Sequence, residues 1–274
     1  MSMIHLQLGN QSVAIDAGEL VGYLVQGYEV IHQKGAPGWR NSDTEMFPLI
    51  GPTVEADFKV QTPRGPATQD QHGLLRELGY VCLEQSATRA VFEKKYVANT
   101  PVRNSKFPAK SSAEFLEWPY DFRFRKTYEL DDKGLTVSFG VSSTLEPVLG
   151  ASGQDGEKGM PFMLGYHPAF ELKMPAPIIE IGNGDHLTLE QILAVGSRAL
   201  EVLDCTEISL HDERTVNLKT TGFRHFMCWT EVPNMVCIEP ITFYPYAVAQ
   251  DQLHEGFDVS GKEETTFSLH IEVL

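Results

Sequence analysis

Residues 122–141 read Phe-Arg-Phe-Arg-Lys-Thr-Tyr-Glu-Leu-Asp-Asp-Lys-Gly-Leu-Thr-Val-Ser-Phe-Gly-Val, and this stretch decides the fold class. Phe122, Phe124, Lys126, Tyr128 and Leu130 share one parity, while Arg123, Arg125, Thr127 and Glu129 share the other. A period of two puts the first set on one face of a pleated strand, and that face is mainly apolar. Beyond Asp131-Asp132-Lys133-Gly134 the alternation resumes with Leu135, Val137, Phe139 and Val141, which predicts an antiparallel hairpin.

The same pattern extends to both ends of the chain. His5–Leu8 and Val13–Ile15 flank Gly9-Asn10, a second predicted hairpin, and Phe267, Leu269, Ile271 and Val273 alternate with Ser268, His270 and Glu272. No long segment carries helical spacing. Short strands and turn residues throughout, without a break in composition, predict an all-β chain folded as a large antiparallel β-sandwich, one domain over residues 1–274. The length is compatible, since sandwiches and barrels reach roughly 200–250 residues as one unit. The glycine- and acid-rich stretch from Gly150 to Gly159 reads as a surface loop.

Hydrophobic residues at 42% and charged residues at 22% describe an ordinary folded protein. Thirty-seven acidic residues against 22 basic ones give a formal charge of -15, which argues against nucleic acid or an anionic membrane as partner. No apolar run approaches the roughly 20 residues of a membrane helix, and Met1-Ser2-Met3-Ile4-His5 lacks the basic start of a secretion signal, so a cytoplasmic location is expected. Cys82, Cys205, Cys228 and Cys237 have no CxxC spacing and read as reduced, mostly buried thiols. Oligomeric state has no signature here.

Two segments share an unusual grammar. Met160-Pro-Phe-Met-Leu-Gly-Tyr-His167-Pro168 and Met235-Val-Cys-Ile-Glu239-Pro240 each carry one protonatable residue out of an apolar run and meet proline at once. Proline cannot donate to a sheet, so each strand is expected to end there and present its polar group at a strand mouth. Gln71-His72-Gly73 is a looser third case. His72, His167 and Glu239 form the candidate constellation. Each has a structural alternative: a strand-end histidine, a salt-bridged edge glutamate, a turn-capping histidine.

These motifs carry a resemblance. Phe47-Pro-Leu-Ile-Gly51, His72-Gly-Leu-Leu-Arg76, Met160-Pro-Phe162, Gly165-Tyr-His-Pro-Ala-Phe170 and Glu239-Pro240, with Gly18-Glu-Leu20 and Trp39 ahead of them, resemble the aldose 1-epimerase, or galactose mutarotase-like, family in order and approximate spacing. Within it the LacX-like subgroup is most similar. The resemblance implies a galactose mutarotase-like supersandwich that binds a small-molecule sugar and interconverts its α and β anomers without metal or organic cofactor. It implies His167 as general acid, Glu239 as general base and His72 as a sugar contact. The chain departs from the family at Pro52 and Ile241, and the family's aspartate contact has no match.

Further candidates are Arg76, which could orient sugar hydroxyls or a phosphate or simply pair with Glu77, and Tyr166 and Phe170, which could wall the sugar or pack in the core. A hexose 6-phosphate substrate would draw on Arg40, Arg64 and Arg76. Two other readings compete: a sugar-binding protein without catalysis, and a metal site built from His72, His167 and Glu239.

Overall fold

The computed structural model describes residues 3–143 and 159–274, so residues 150–158 of the expected glycine-rich loop lie outside the described residues. The opening hairpin forms as Phe122–Leu130 and Leu135–Ser142, paired antiparallel from Arg123↔Ser142 to Leu130↔Leu135. It lies within a nine-stranded sheet that runs from His186–Thr188 at one edge, through Thr265–Val273 and the hairpin, to Val81–Gln85 at the other. Ile4–Leu8 and Gln11–Asp16 form the expected N-terminal hairpin in a separate four-stranded sheet. Among the described residues the one α-helix is Leu189–Ala194, started by a capping box between Thr188 and Gln191.

A six-stranded antiparallel sheet packs against the nine-stranded one. It is ordered Leu200–Val202, His225–Trp229, Met235–Ile241, Gly165–Tyr166 and Glu45–Met46, and Ala169–Glu171 also pairs with Met235–Ile241. Contact between the layers is aromatic: centroid to centroid, Phe139 lies 4.9 Å from Tyr166, and Phe124 lies 5.2 Å from Phe47, which directly follows the edge strand. The apolar parity of residues 122–130 is the face turned to this core, as the alternation requires.

Lys126 sits on that face and is fully buried. Its ammonium reaches across the layers to Asp43 Oδ2 at 2.7 Å and Glu45 Oε1 at 2.6 Å. The hydroxyl of Tyr166 also donates to Asp43 Oδ2, at 2.7 Å, and Lys94 stands 3.7 Å from Glu45 while donating to the Leu75 carbonyl. Burial opposes the charge on Lys126, but Asp43 and Glu45 outweigh it and hold the ammonium above its ordinary pKa. Such a cluster contributes little net stability while whole, yet removing one member strands the others in a medium that cannot solvate them.

Both prolines expected to end strands behave differently. Pro240 lies inside Met235–Ile241, and the chain passes Pro168 to form Ala169–Glu171. Gly165 pairs with Ile241 and Ala169 pairs with Cys237, one register on both sides of the interruption. That register sets Tyr166 against Pro240, His167 against Glu239 and Pro168 against Ile238. The Thr242 amide donates to Leu164 O, while the His167 amide points the other way, to Thr44 O. Alternation then puts Tyr166/Pro240 and Pro168/Ile238 at hydrogen-bonding rungs and His167/Glu239 at the rung between them, where side chains stand closest. Each proline removes one ladder bond beside that pair, so the sheet continues past both.

Replacing Lys126 by Met is expected to lower stability by about 3–5 kcal/mol, read by urea unfolding; a loss under about 1 kcal/mol would show that Asp43 and Glu45 are relieved by other partners.

Candidate functional site

His167 and Glu239, opposed across adjacent strands, project from the sheet face away from the core. His167 Nε2 and Glu239 Oε1 are 3.3 Å apart, and both side chains are buried. Neither carboxylate oxygen of Glu239 nor Nδ1 of His167 has a hydrogen-bond partner among the described residues. The two groups form the floor of a cleft of about 820 Å³, which is also lined by His72, Arg76, Trp39, Trp229 and Met227.

Burial without compensating bonds penalises charge on both groups. It pushes the Glu239 carboxyl well above its ordinary value of 4.5. It pulls the His167 imidazole down from 6.5 to about 3, with the Arg76 guanidinium adding to the effect. Burial thus biases the free pair toward its uncharged form, a carboxyl beside a neutral imidazole. Proton count does not distinguish this from imidazolium beside carboxylate, and a shift across 3.3 Å interconverts the two.

His72 is brought to the same place by a tight turn. Its φ is +75°, its amide donates to Ile50 O, and its ring meets that of His167 edge-on at 5.5 Å. Gly73 follows at φ +69°, where a Cβ would fall 2.2 Å from the Phe47 carbonyl oxygen, so the turn packs against the Phe47-Pro48 segment only with glycine at this position. Burial, with His167 and Arg76 nearby, lowers the His72 pKa well below 6.5. Arg76 lines the cleft and makes no pair with Glu77, whose carboxylate instead accepts from the Ser105 hydroxyl at 2.9 Å.

Tyr166 does not reach the cleft. It neighbours His167 in a strand, so it points to the opposite face, where its hydroxyl serves Asp43 in the core. Phe170 has the same parity and packs in the core as well. The aromatic walls are Trp39, 4.3 Å from the His167 ring, and Trp229, 6.0 Å from it. Trp39 is fixed by His32, whose Nε2 lies 2.9 Å from the Trp39 carbonyl and must donate, since a carbonyl only accepts. Parity alone identifies the wrong side for Tyr166; no local signal identifies Trp39 and Trp229, which arrive from other segments.

Arg64 also stands elsewhere, with its guanidinium 4.6 Å over Tyr120 and Nη1 donating to Pro119 O. The expected metal set is altered too. Among the described residues, His167, Cys237 and Glu239 are the three whose ligand atoms lie within 4.8 Å of one another, with Cys237 in place of His72. The Cys237 thiol is held protonated by burial, so a divalent cation there would have to displace its proton.

No family model matches the chain. The chromosomal LacX protein of Lactococcus lactis is 26% identical over 194 residues, 68% of this chain and 55% of that protein, so the chain spans about half the length of the curated relatives it matches. A galactose mutarotase-like protein from Lactobacillus casei superposes with a TM-score of 0.76 at 18% identity, covering 100% of both chains. A galactose mutarotase related enzyme from Lactobacillus acidophilus gives the same score and identity over 99% of this chain and 97% of its own. No helix among the described residues is long and apolar enough to cross a membrane. The chain has the galactose mutarotase-like fold, and its sequence is similar to that of the LacX proteins.

Proposed function

We propose that the cleft binds an aldose and equilibrates its anomers, with His167 and Glu239 moving the protons. The observation that supports this most is the directly opposed pair, 3.3 Å apart, buried and otherwise unpartnered, between two indole rings suited to the apolar faces of a pyranose. Interconversion needs one donor and one acceptor. Glu239 as base takes the proton of the C1 hydroxyl, and His167 as acid protonates the ring oxygen. The bond between C1 and that oxygen breaks, leaving an open-chain aldehyde. Rotation about C1–C2 and the reverse transfers close the ring on either face. Atoms and electrons balance without hydride transfer.

The resting proton on Glu239 has to pass to His167 for these roles. Sugar hydroxyls donating to the carboxylate favour its charged form and supply the bias, since hydrogen bonds to a charged group stabilise that state. His72 and Arg76 stand where they can hold ring hydroxyls.

His167→Ala and Glu239→Gln are each expected to lower kcat for anomer exchange by roughly 10²–10⁴-fold with a smaller change in KM, followed by NMR exchange spectroscopy against a buffer blank. Thermal unfolding separates lost chemistry from lost structure, and Tm in Glu239→Gln should not fall, because burial of an ionisable carboxyl without partners already costs the wild type. Saturable sugar binding with wild-type exchange no faster than buffer would leave a binding protein instead of an enzyme.

The pH profile is a separate test. Free-protein His167 takes a second proton only as pH falls toward about 3, and Glu239 loses its proton only well above 4.5. The kcat/KM profile should therefore show no acid limb near the ordinary histidine value. An acid limb centred at 6.5, the ordinary histidine value, would contradict this environment.

A further inference from the structure

The charge of the cleft is opposite to that of the protein. Across the chain acidic residues outnumber basic ones 37 to 22, yet the cleft is lined by Arg40, Arg76, Lys106 and Lys110 against Glu231 and Glu239. Burial disfavours charge on Glu239, and Glu231 is the other acid of the lining.

These cations are built into the site in tiers. Lys106 is half-buried and committed, its ammonium donating to Asp70 Oδ1 and to the Gln71 carbonyl, both at 3.0 Å. Those bonds tie the loop that carries Lys106 and Lys110 to the turn that presents His72. Asn104, buried at the root of the same loop, donates to Asp70 Oδ2 at 2.9 Å, to the Ser111 hydroxyl and to the Ala113 carbonyl. Lys110 is exposed and held in the loop by its amide bond to the Lys106 carbonyl. Arg76 is half-buried, close enough for its charge to depress both His72 and His167. Arg40 is exposed and lines the cleft beside Trp39, its neighbour in the chain. The side chains of Arg40, Arg76 and Lys110 make no hydrogen bond or ion pair among the described residues. Three unpaired cations around one cleft in a chain of charge -15 repel each other and have no acid committed to them.

We propose that the substrate is an aldose bearing an anionic group, phosphate or carboxylate, at its terminal carbon, held by Arg76 and Lys110 with Arg40 as a third cation of the lining. The placement follows from depth. C1 and the ring oxygen must meet His167 and Glu239 at the buried floor, so the far end of a pyranose points toward the mouth, where Arg40 and Lys110 stand. Arg76 supplies a planar donor fork between the two levels, matched to the paired oxygens of either anion. The acidic remainder of the surface opposes non-productive capture of the same anion elsewhere.

This inference rests on the mutarotase reading, and the experiment separates the two. Anomer exchange is measured for glucose and galactose, their 6-phosphates and their uronates, at about 20 mM and about 500 mM salt. The expected result is a kcat/KM at least about tenfold higher for one anionic series than for the free sugars, as charge-assisted hydrogen bonds provide. High salt should narrow that gap, and whichever anionic series is faster identifies the group. Arg76→Gln combined with Lys110→Gln should bring the ratio of anionic to neutral substrate down about tenfold, mainly through KM. Equal or faster exchange of the free sugars, with a ratio insensitive to salt and to these substitutions, would overturn the anionic substrate and leave the mutarotase reading standing. Exchange of no sugar would overturn the mutarotase reading; calorimetry would then decide the ligand class, with tighter binding of 6-phosphate or uronate upholding it and equal or absent binding refuting it.

Discussion

Two missing amide hydrogens organise this site. Pro168 and Pro240 lie in neighbouring strands whose register is continuous, and each deletes one ladder bond beside the rung where His167 faces Glu239. A regular ladder would surround that rung with satisfied amides; here the strands stay in register through the flanking pairs at Gly165 and Ala169 while the centre is relaxed. The rung is of the close, non-hydrogen-bonded kind, which brings two opposed side chains to one face without any loop having to deliver them. Placing proton-transfer groups on strands rather than on loops fixes their separation.

The same strand links the site to the core. His167 faces the cleft and Tyr166, one residue earlier, faces inward to Asp43 and through it to Lys126 on the opposing sheet. Glu45, paired with Tyr166 in the edge strand, takes the other side of the Lys126 ammonium. A buried cluster of this kind is a costly way to gain stability, but it permits few alternative arrangements of the two sheets. Sliding the His167 strand by one residue would put an imidazole against Lys126 and a phenol in the cleft, which both environments reject.

Electrostatic design therefore differs between the two faces of one sheet. Inside, opposite charges are matched within hydrogen-bond distance, which favours the charged forms of Lys126 and Glu45. In the cleft, carboxyl and imidazole are stripped of partners and driven toward neutrality, and unpaired cations gather higher up the walls. The first arrangement is complete within the protein. The second leaves donors, acceptors and positive charge without partners inside the protein.

Much of this was legible in the chain. Alternation in residues 122–141 determined the antiparallel hairpin and its buried face, because a period of two is a property of the extended backbone and needs no partner to be read. The paired apolar-run-then-proline segments picked out His167 and Glu239, because proline's lack of an amide hydrogen is local chemistry. What the prolines do was not legible: a missing donor ends a strand or merely opens a rung depending on whether the neighbour keeps register, and register is a relation between segments about seventy residues apart. Tyr166 is excluded from the cleft by the same parity that admits His167, because one register runs through both. Trp39, Trp229 and Lys110 reach the site from separate segments, so only the tertiary structure could assemble them. The sequence by itself determined strand content, face and the chemical identity of the proton-carrying pair; the packing of distant strands alone decided their distance, their loss of charge and the cations that surround them, since each depends on what excludes water.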